Sequence, residues 1–285
     1  MVRRPTPGAE LNDDPVAVDL NVDAALLLKD MVGIDAYPMV LAIMPNIELI
    51  DDRDRVNAFV AAQLTEAGIL GDGGVHPTVA HWLRCLARPD VELVARIIDR
   101  VEPGEEPGIL RMSLARSAET HVLAVRYDDH LVIQSVFTEG ERTDAVAAAL
   151  LAALGPAPAL DFTPLAATQE EFEAVPADAE SRRVALRELG AQGRTAAVLT
   201  RAFDEVTRGA EVLMIEHHDG VIATPELCMT VLDTRSGRIA VVPNRDLNGQ
   251  VRITYLPGDD ASLRAGVRAL VDLLPGGSWF RTSRM

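Results

Sequence analysis

Two stretches of this chain carry the same succession of breaks and apolar runs, offset by roughly 120 residues, and a repeat at that spacing constrains the fold more than composition does. Leu64-Thr-Glu-Ala-Gly68 resembles Leu186-Arg-Glu-Leu-Gly190, each a helix end with glycine where a left-handed cap is needed. Ala87 to Val94 falls on Val206 to Leu213, each passing from a helix through a proline or glycine break into an apolar strand. Leu110 to Arg116 lies over Met229 to Arg235, and Val122 to Val125 lies near Ile239 to Val242. Leu150, Leu151 and Leu154 before Gly155-Pro156 meet Leu270, Val271 and Leu274 before Pro275-Gly276. Each unit therefore reads as two helices, a meander of three or four strands, and a closing helix with apolar residues at three- and four-residue spacing. The fold class expected is α+β, an internally duplicated pseudo-two-fold unit with a central, mainly antiparallel sheet flanked by helical bundles.

Ahead of the first unit, Val16 to Val22 alternates apolar and polar and predicts a half-buried strand. A helix follows from about Asp23 to Val32, capped by Asn21 or Asp23 and ended by Gly33. Val40 to Ile43 is expected to be a short strand between Pro38 and Pro45. Asp51 to Ala67 is expected to be a helix whose apolar face uses Val56, Phe59, Val60 and Leu64. The boundaries expected are a flexible arm at 1–14, an N-terminal half at 15–156, an extended crossover at 157–179 rich in Pro, Ala and acidic residues, and a C-terminal half at 180–285. Short meanders gain stability by joining edge to edge, so the two halves are expected to share one sheet in a single domain.

Acidic residues outnumber basic ones by 43 to 27, for a net charge of -16, which repels a polyanion and argues against nucleic acid as a partner. No apolar stretch approaches the ~20 residues of a membrane span, and no secretory signal follows Arg3-Arg4, so a cytoplasmic protein is expected. Cys85 and Cys228 stand far apart in apolar surroundings and read as free thiols.

The usual catalytic signatures are missing: there is no Gly-x-Ser-x-Gly, His-Glu-x-x-His, Cys-x-x-Cys or Walker loop. Gly71 to Pro77 reads as a helix-to-helix turn and Asp128-Asp129-His130 as a hairpin turn. Glu216-His217-His218-Asp219 invites a metal or hydrolase reading, since imidazoles and carboxylates ligate zinc and move protons. Adjacent side chains of a strand point to opposite faces, however, so His217 and His218 are not expected to share one ion. No metal and no cofactor is expected. A small metal-dependent hydrolase using His217, His218 and Asp219 stays open as the rival, and a weak homodimer through a sheet edge as a third reading. The two units differ most in one interval: Glu216 to Thr230 carries apolar Val221, Ile222, Leu227 and Met229 among turn formers, whereas Ile98 to Ile109 is more polar. A loop that diverges between otherwise matching units is where a task is expected.

Several segments together resemble the EspG family of actinobacterial type VII (ESX) secretion chaperones. They are Pro38 to Ile43 with Pro45-Asn-Ile, Trp82 with Leu86-Ala-Arg-Pro-Asp90, Val231 to Arg238, Leu256-Pro-Gly258, and Leu274-Pro-Gly-Gly-Ser-Trp279. The resemblance implies a quasi-two-fold α/β fold with two helical bundles. It also implies no enzymatic activity, and cytosolic binding of a cognate PE–PPE heterodimer at the apolar tip of its PPE subunit, keeping the pair soluble until secretion. Carried over by position, the partner-binding residues would be His217, His218, Asp219, Gly220, Val221, Ile222, Ala223, Thr224, Glu226 and Met229. This loop contains no lysine or arginine, and Asp259 stands where the family often has Thr or Ser after Pro-Gly.

Overall fold

The computed structural model of the chain describes residues 14–45, 50–101, 104–219, 221, 227–246 and 249–284. The first half opens with β1 (Ala17–Asn21), α1 (Val22–Val32), a 3-10 turn (Met39–Leu41) and α2 (Ile50–Glu66). A small hairpin, β2 (Leu70–Gly71) with β3 (Gly74–Val75), leads to α3 (Pro77–Ala87). A meander follows, β4 (Val91–Asp99), β5 (Ile109–Ser117), β6 (Thr120–Tyr127) and β7 (His130–Ser135), closed by α4 (Asp144–Leu154). The second half runs β8 (Leu165–Thr168), α5 (Gln169–Glu173), α6 (Ala179–Glu188) and α7 (Gly193–Asp204). Its meander is β9 (Val206–Glu216), β10 (Met229–Thr234), β11 (Gly237–Arg245) and β12 (Val251–Pro257), closed by α8 (Asp260–Asp272).

All strands but β2 and β3 join one ten-stranded sheet in the order β1-β7-β6-β5-β4-β9-β10-β11-β12-β8. Every neighbouring pair is antiparallel. Read outward from the β4/β9 contact, both directions pass through a meander and end on the strand that opens that half. The central ladder is long, running from Val91↔Glu216 to Asp99↔Arg208.

Alternation along the strands divides the side chains between two layers. On one face Leu93, Ile97, Val212, Met214, Met229 and Val231 pack against Val146, Leu150 and Leu154 of α4 and Leu263, Val267 and Leu270 of α8. On the other, Val18, Leu20, Val122, Ala124, Leu131 and Ile133 meet α1, α2 and α3 through Leu28, Val60, Leu64, Trp82 and Leu83. Toward the far edge the same face meets α6 and α7, where Leu165 and Ile239 pack on Leu186, Ala196 and Leu199. Each such buried aliphatic side chain contributes about 1.5–3 kcal/mol, which is why helices gather wherever the alternation offers apolar residues.

Local signals set most boundaries as expected. Asn21 Oδ1 accepts the Ala24 N–H at 2.8 Å, and Gly33 ends α1 in the left-handed region. Asp259 caps α8 by accepting the Ser262 N–H at 2.7 Å, so aspartate does there what Thr or Ser would do. Gly68 and Gly190 both have positive φ. Cys85 is buried, its thiol pushed up to about 12 chiefly by desolvation, and Cys228 is partly buried; both are free.

Four expectations need correction. Val40 to Ile43 is not a strand: Met39–Leu41 is a 3-10 turn and Ala42 has φ 49°. Arg126 Nη1 donates to the Leu41 carbonyl at 2.8 Å and also bonds that of Ala42, so these acceptors are satisfied without a ladder. Phe59 is 66% exposed, one residue off the stripe on which Val60 and Leu64 are buried. The interval 157–179 is more than a crossover, because it contains the edge strand β8 and α5, the latter opened by a capping box between Thr168 and Glu171. Gly209 is no break; it lies inside β9, opposite Ile98. The arm at 1–14 lies almost wholly outside the described residues. Among the described residues no helix is long and apolar enough to cross a membrane.

Candidate partner interface

The helix-covered layers leave part of the sheet bare. Between the α1–α3 group and the α6–α7 group, Glu92, Val94, Arg96 and Ile98 of β4 lie beside Ile215, Leu213, Glu211 and Gly209 of β9 in the central ladder. Arg96 and Glu211 are exposed, Ile98, Gly209, Leu213 and Ile215 partly so, and Glu92 and Val94 buried. Two depressions lie along this strip. One, of about 300 Å³, is lined by Met39, Val40, Val94, Arg111, Leu213 and Ile215. The other, of about 480 Å³, is lined by Ile98, Val101, Pro107, Val206, Gly209 and Leu232. They meet at the Arg96–Glu211 ion pair, whose closest atoms are 3.2 Å apart. Met39, on the rim, is 93% exposed. A shallow, mainly apolar strip crossed by the Arg96–Glu211 pair and flanked by Arg111, Asp99 and Arg100 has the chemistry of a protein-docking surface.

The β9–β10 connection rises from the end of this strip, and its base is firmly tied. Asp90 accepts the His217 N–H on its carbonyl at 2.9 Å. His217 Nε2 lies 3.0 Å from Glu92 Oε1, and Glu92 Oε2 accepts from Ser113 Oγ at 3.0 Å. His218 Nε2 sits 3.2 Å from Glu216 Oε1. Asp219 takes both carboxylate bonds from Arg88 Nη2, at 3.0 and 2.8 Å, and a further bond from Arg284 Nε. The Arg284 and Arg88 hydrogen bonds hold the Asp219 carboxyl below the usual carboxylate range.

The sequence-predicted residues that are described thus separate into three groups. His217, His218 and Asp219 stand together at the loop base, each spoken for by a separate partner. The two imidazoles turn to different glutamates, and among the described residues no group of three or more His, Cys, Asp or Glu is placed to hold a metal ion. Val221 is 63% exposed, and its N–H reaches the His218 carbonyl at 3.3 Å. Met229, expected on the surface, is fully buried; it packs so closely on α8 that a Cβ on Gly266 would lie 2.5 Å from its sulfur. Its burial follows from the register, which aligns Met229 with Val212 on the helix-covered face. Gly220, Ile222, Ala223, Thr224 and Glu226 lie outside the described residues.

Sequence reasoning missed the bare strip itself. Arg96 and Glu211 were its only signal: charged residues interrupting strands otherwise apolar enough to be buried on both faces.

The C-terminal segment after α8 closes over the same end of the sheet. Trp279 is 1% exposed, and its indole N–H donates to His121 Nε2 at 3.0 Å. His121 Nδ1 faces the Glu119 carbonyl at 3.3 Å, so the neutral ring donates there and accepts from the indole. Burial is the main cause holding His121 below the ordinary 6.5; Arg116 adds to that, while the Glu119 carbonyl and carboxylate oppose it. A base depressed in the folded state contributes stability that is fully present above 6.5 and lost as pH falls through its folded value. Acidifying from about pH 7.5 to about pH 5 is therefore expected to lower Tm, and His121→Gln, which still accepts from the indole but does not titrate, is expected to flatten that slope in paired thermal melts.

A family model described as the EspG family matches residues 21–269 of this chain. The chain is 32% identical over 273 residues to the ESX-1 secretion-associated protein EspG1 of Mycobacterium marinum, covering 95% of this chain and 93% of that one. It is 33% identical over 273 residues to the ESX-3 secretion-associated protein EspG3 of Mycolicibacterium smegmatis, covering 93% and 90%. Among solved structures, the Mycobacterium tuberculosis type VII secretion system chaperone EspG5, in complex with the PE25-PPE41 dimer, has a similar fold. The TM-score is 0.77 at 21% identity, covering 94% of this chain and 100% of that one.

Proposed function

The chain belongs to the EspG family, and on that premise we propose that it is a cytoplasmic, non-enzymatic chaperone that binds a cognate PE–PPE heterodimer and keeps it soluble for type VII secretion. The observation that carries this reading is the bare strip over β4 and β9. It is an apolar face left open between two helix groups, with the divergent β9–β10 loop at one end. The solved relative that shares this fold holds a PE–PPE dimer. An exposed apolar helical tip aggregates in water, and a groove that buries it recovers about 1.5–3 kcal/mol for each large aliphatic side chain.

Within the loop, Val221 and Ile222 would touch the PPE tip, together with Gly220, Ala223, Thr224 and Glu226, and His217, His218 and Asp219 would set its base. Met229 would support the site from the core. The mirrored strand order supports reading the chain as one unit used twice within a single domain. A hydrolase reading has no support, since His217 and His218 are engaged with separate glutamates.

Co-expression with PE–PPE pairs encoded beside this chain, followed by gel filtration with mass detection, tests the proposal. A stable 1:1:1 complex with at least one pair is expected. Failure with every pair while the chain elutes folded and alone would refute it.

A further inference from the structure

We infer that the C-terminal strap after α8 is a positioning device for the partner-binding loop, latched through Asp219, Arg88 and Arg284. The inference rests on the proposed chaperone role for its functional consequence, but the latch itself is a property of the free chain.

The strap is fixed at three places before it reaches the loop. The Gly276 N–H donates to Glu216 Oε2 at 2.7 Å, at the last residue of β9. A Cβ at Gly276 would lie 3.0 Å from that same oxygen and 3.1 Å from Thr282 Oγ1, so the close approach depends on glycine. Trp279 is buried against His121, with ring centroids 6.2 Å apart. Buried Arg116 donates to the Thr282 carbonyl.

Arg284 then completes the device. Its backbone N–H donates to Asp90 Oδ1 at 2.9 Å, and the carbonyl of the same Asp90 accepts the His217 N–H at 2.9 Å. Its guanidinium bonds Asp219 from one side while Arg88, at the end of α3, grips it from the other. His217 and Asp219, the first and third residues of the β9–β10 connection, are thus bound to residues far away in sequence, which fix where the connection leaves the sheet. Hydrogen bonds from the two guanidinium groups favour the charged form of the Asp219 carboxyl.

The ion pairs of the latch reach the surface, with side-chain exposures of 66% for Arg88, 50% for Asp219 and 24% for Arg284. Pairs of that kind add little to global stability. Their effect is local: they fix the position of Asp219, where the connection leaves β9.

The test compares wild-type chain with Arg284→Ala, Arg284→Lys and Asp219→Asn. Three readouts are taken: thermal melts, amide hydrogen exchange of the free chain by mass spectrometry, and affinity for an immobilised PE–PPE pair. Arg284→Ala and Asp219→Asn are expected to speed exchange in the 216–229 segment roughly three- to fivefold, with α4, α8 and Tm unchanged. Affinity is expected to fall by a similar factor, and Arg284→Lys to recover part of both effects. Unchanged exchange in that segment overturns the latch, even if binding weakens, because the side chains would then be touching the partner directly. Faster exchange spread through α4 and α8 overturns it too, since the strap would be a general stabiliser. Should the wild-type chain capture no pair while exchange responds as described, the latch stands and the chaperone reading fails.

Discussion

Leu213→Arg is expected to abolish capture of the PE–PPE pair, weakening affinity at least about a hundredfold, as loss of a hot spot at the centre of an interface does. Leu213 sits on the bare strip opposite Val94, beside the Arg96–Glu211 pair. An arginine there would add a positive charge beside Arg96 and Arg111, to be desolvated once a partner excluded water. The free chain loses little, because Leu213 is only partly buried and an arginine at that position extends into solvent. Tm is therefore expected to stay within a few degrees of wild type, by roughly the 0.5 kcal/mol typical of surface changes. Titration by calorimetry against a purified pair, with a thermal melt of each chain, checks both halves of the expectation. Loss of binding with a large fall in Tm would instead mark Leu213 as a core residue.

Arg238→Ala is expected to have the largest effect on folding, destabilising the chain by about 3–5 kcal/mol. Arg238 is 3% exposed and stands just past the β10–β11 turn. Its guanidinium makes two bonds to Asp233, at 2.5 and 2.9 Å, and donates to the Gly155 carbonyl at 2.9 Å and that of Leu154 at 3.2 Å. Its backbone adds a bond from the Leu160 N–H and another to the Pro158 carbonyl. One residue thus ties the end of α4 to the hairpin of the opposite half. Alanine would strand the Asp233 carboxylate and take the guanidinium from the Gly155 carbonyl, while the Leu154 carbonyl keeps the Arg208 Nη1 bond at 2.8 Å. A fall in Tm on the order of 10 °C is expected for a chain of this size. Lysine should recover only part of it, because an ammonium lacks the planar fork that bonds the carboxylate twice. A shift of only a degree or two in a melting experiment would contradict this account of the contact.

His121 occupies the corresponding place in the first half, one residue past the start of β6, and receives the strap that follows α8 as Arg238 receives the segment that follows α4. Each half thereby reaches across to the hairpin of the other. This reciprocal crossing, together with the continuous β4/β9 ladder, explains why the two halves are not expected to fold separately.

The meanders were legible in the sequence because alternation and turn residues act over short range: Asp128-Asp129 announces a two-residue turn whose flanking strands pair as expected. So were α1, through its caps, and α8, through its apolar spacing and the Pro275-Gly276 that follows. Val40 to Ile43 misled because an apolar run between prolines carries no period, and what decided its shape was Arg126, distant in the chain. The edge strand β8 was hidden because Leu165–Thr168 is too short to show alternation and takes its identity from β12. The loop from Glu216 to Thr230 was identified by contrast between the two halves, but its furnishing was not. Asp219 finds Arg88 and Arg284 only because the sheet brings the end of β9, the end of α3 and the C-terminus to one corner. Met229 looked like a surface anchor until the register placed it under α8. The bare strip needs β4 beside β9, a pairing between halves that no local pattern encodes.

Thiol labelling at position 213 tests the docking of a PE–PPE pair on that strip most directly. In a Leu213→Cys chain, Cys85 is buried and Cys228→Ser removes the other native thiol, so maleimide reports on the strip alone. If the strip receives the pair, labelling should slow at least about tenfold when the purified complex replaces the free chain, as expected for a site at the desolvated centre of an interface. Equal labelling of the free chain and of a complex shown by mass to be intact would contradict it.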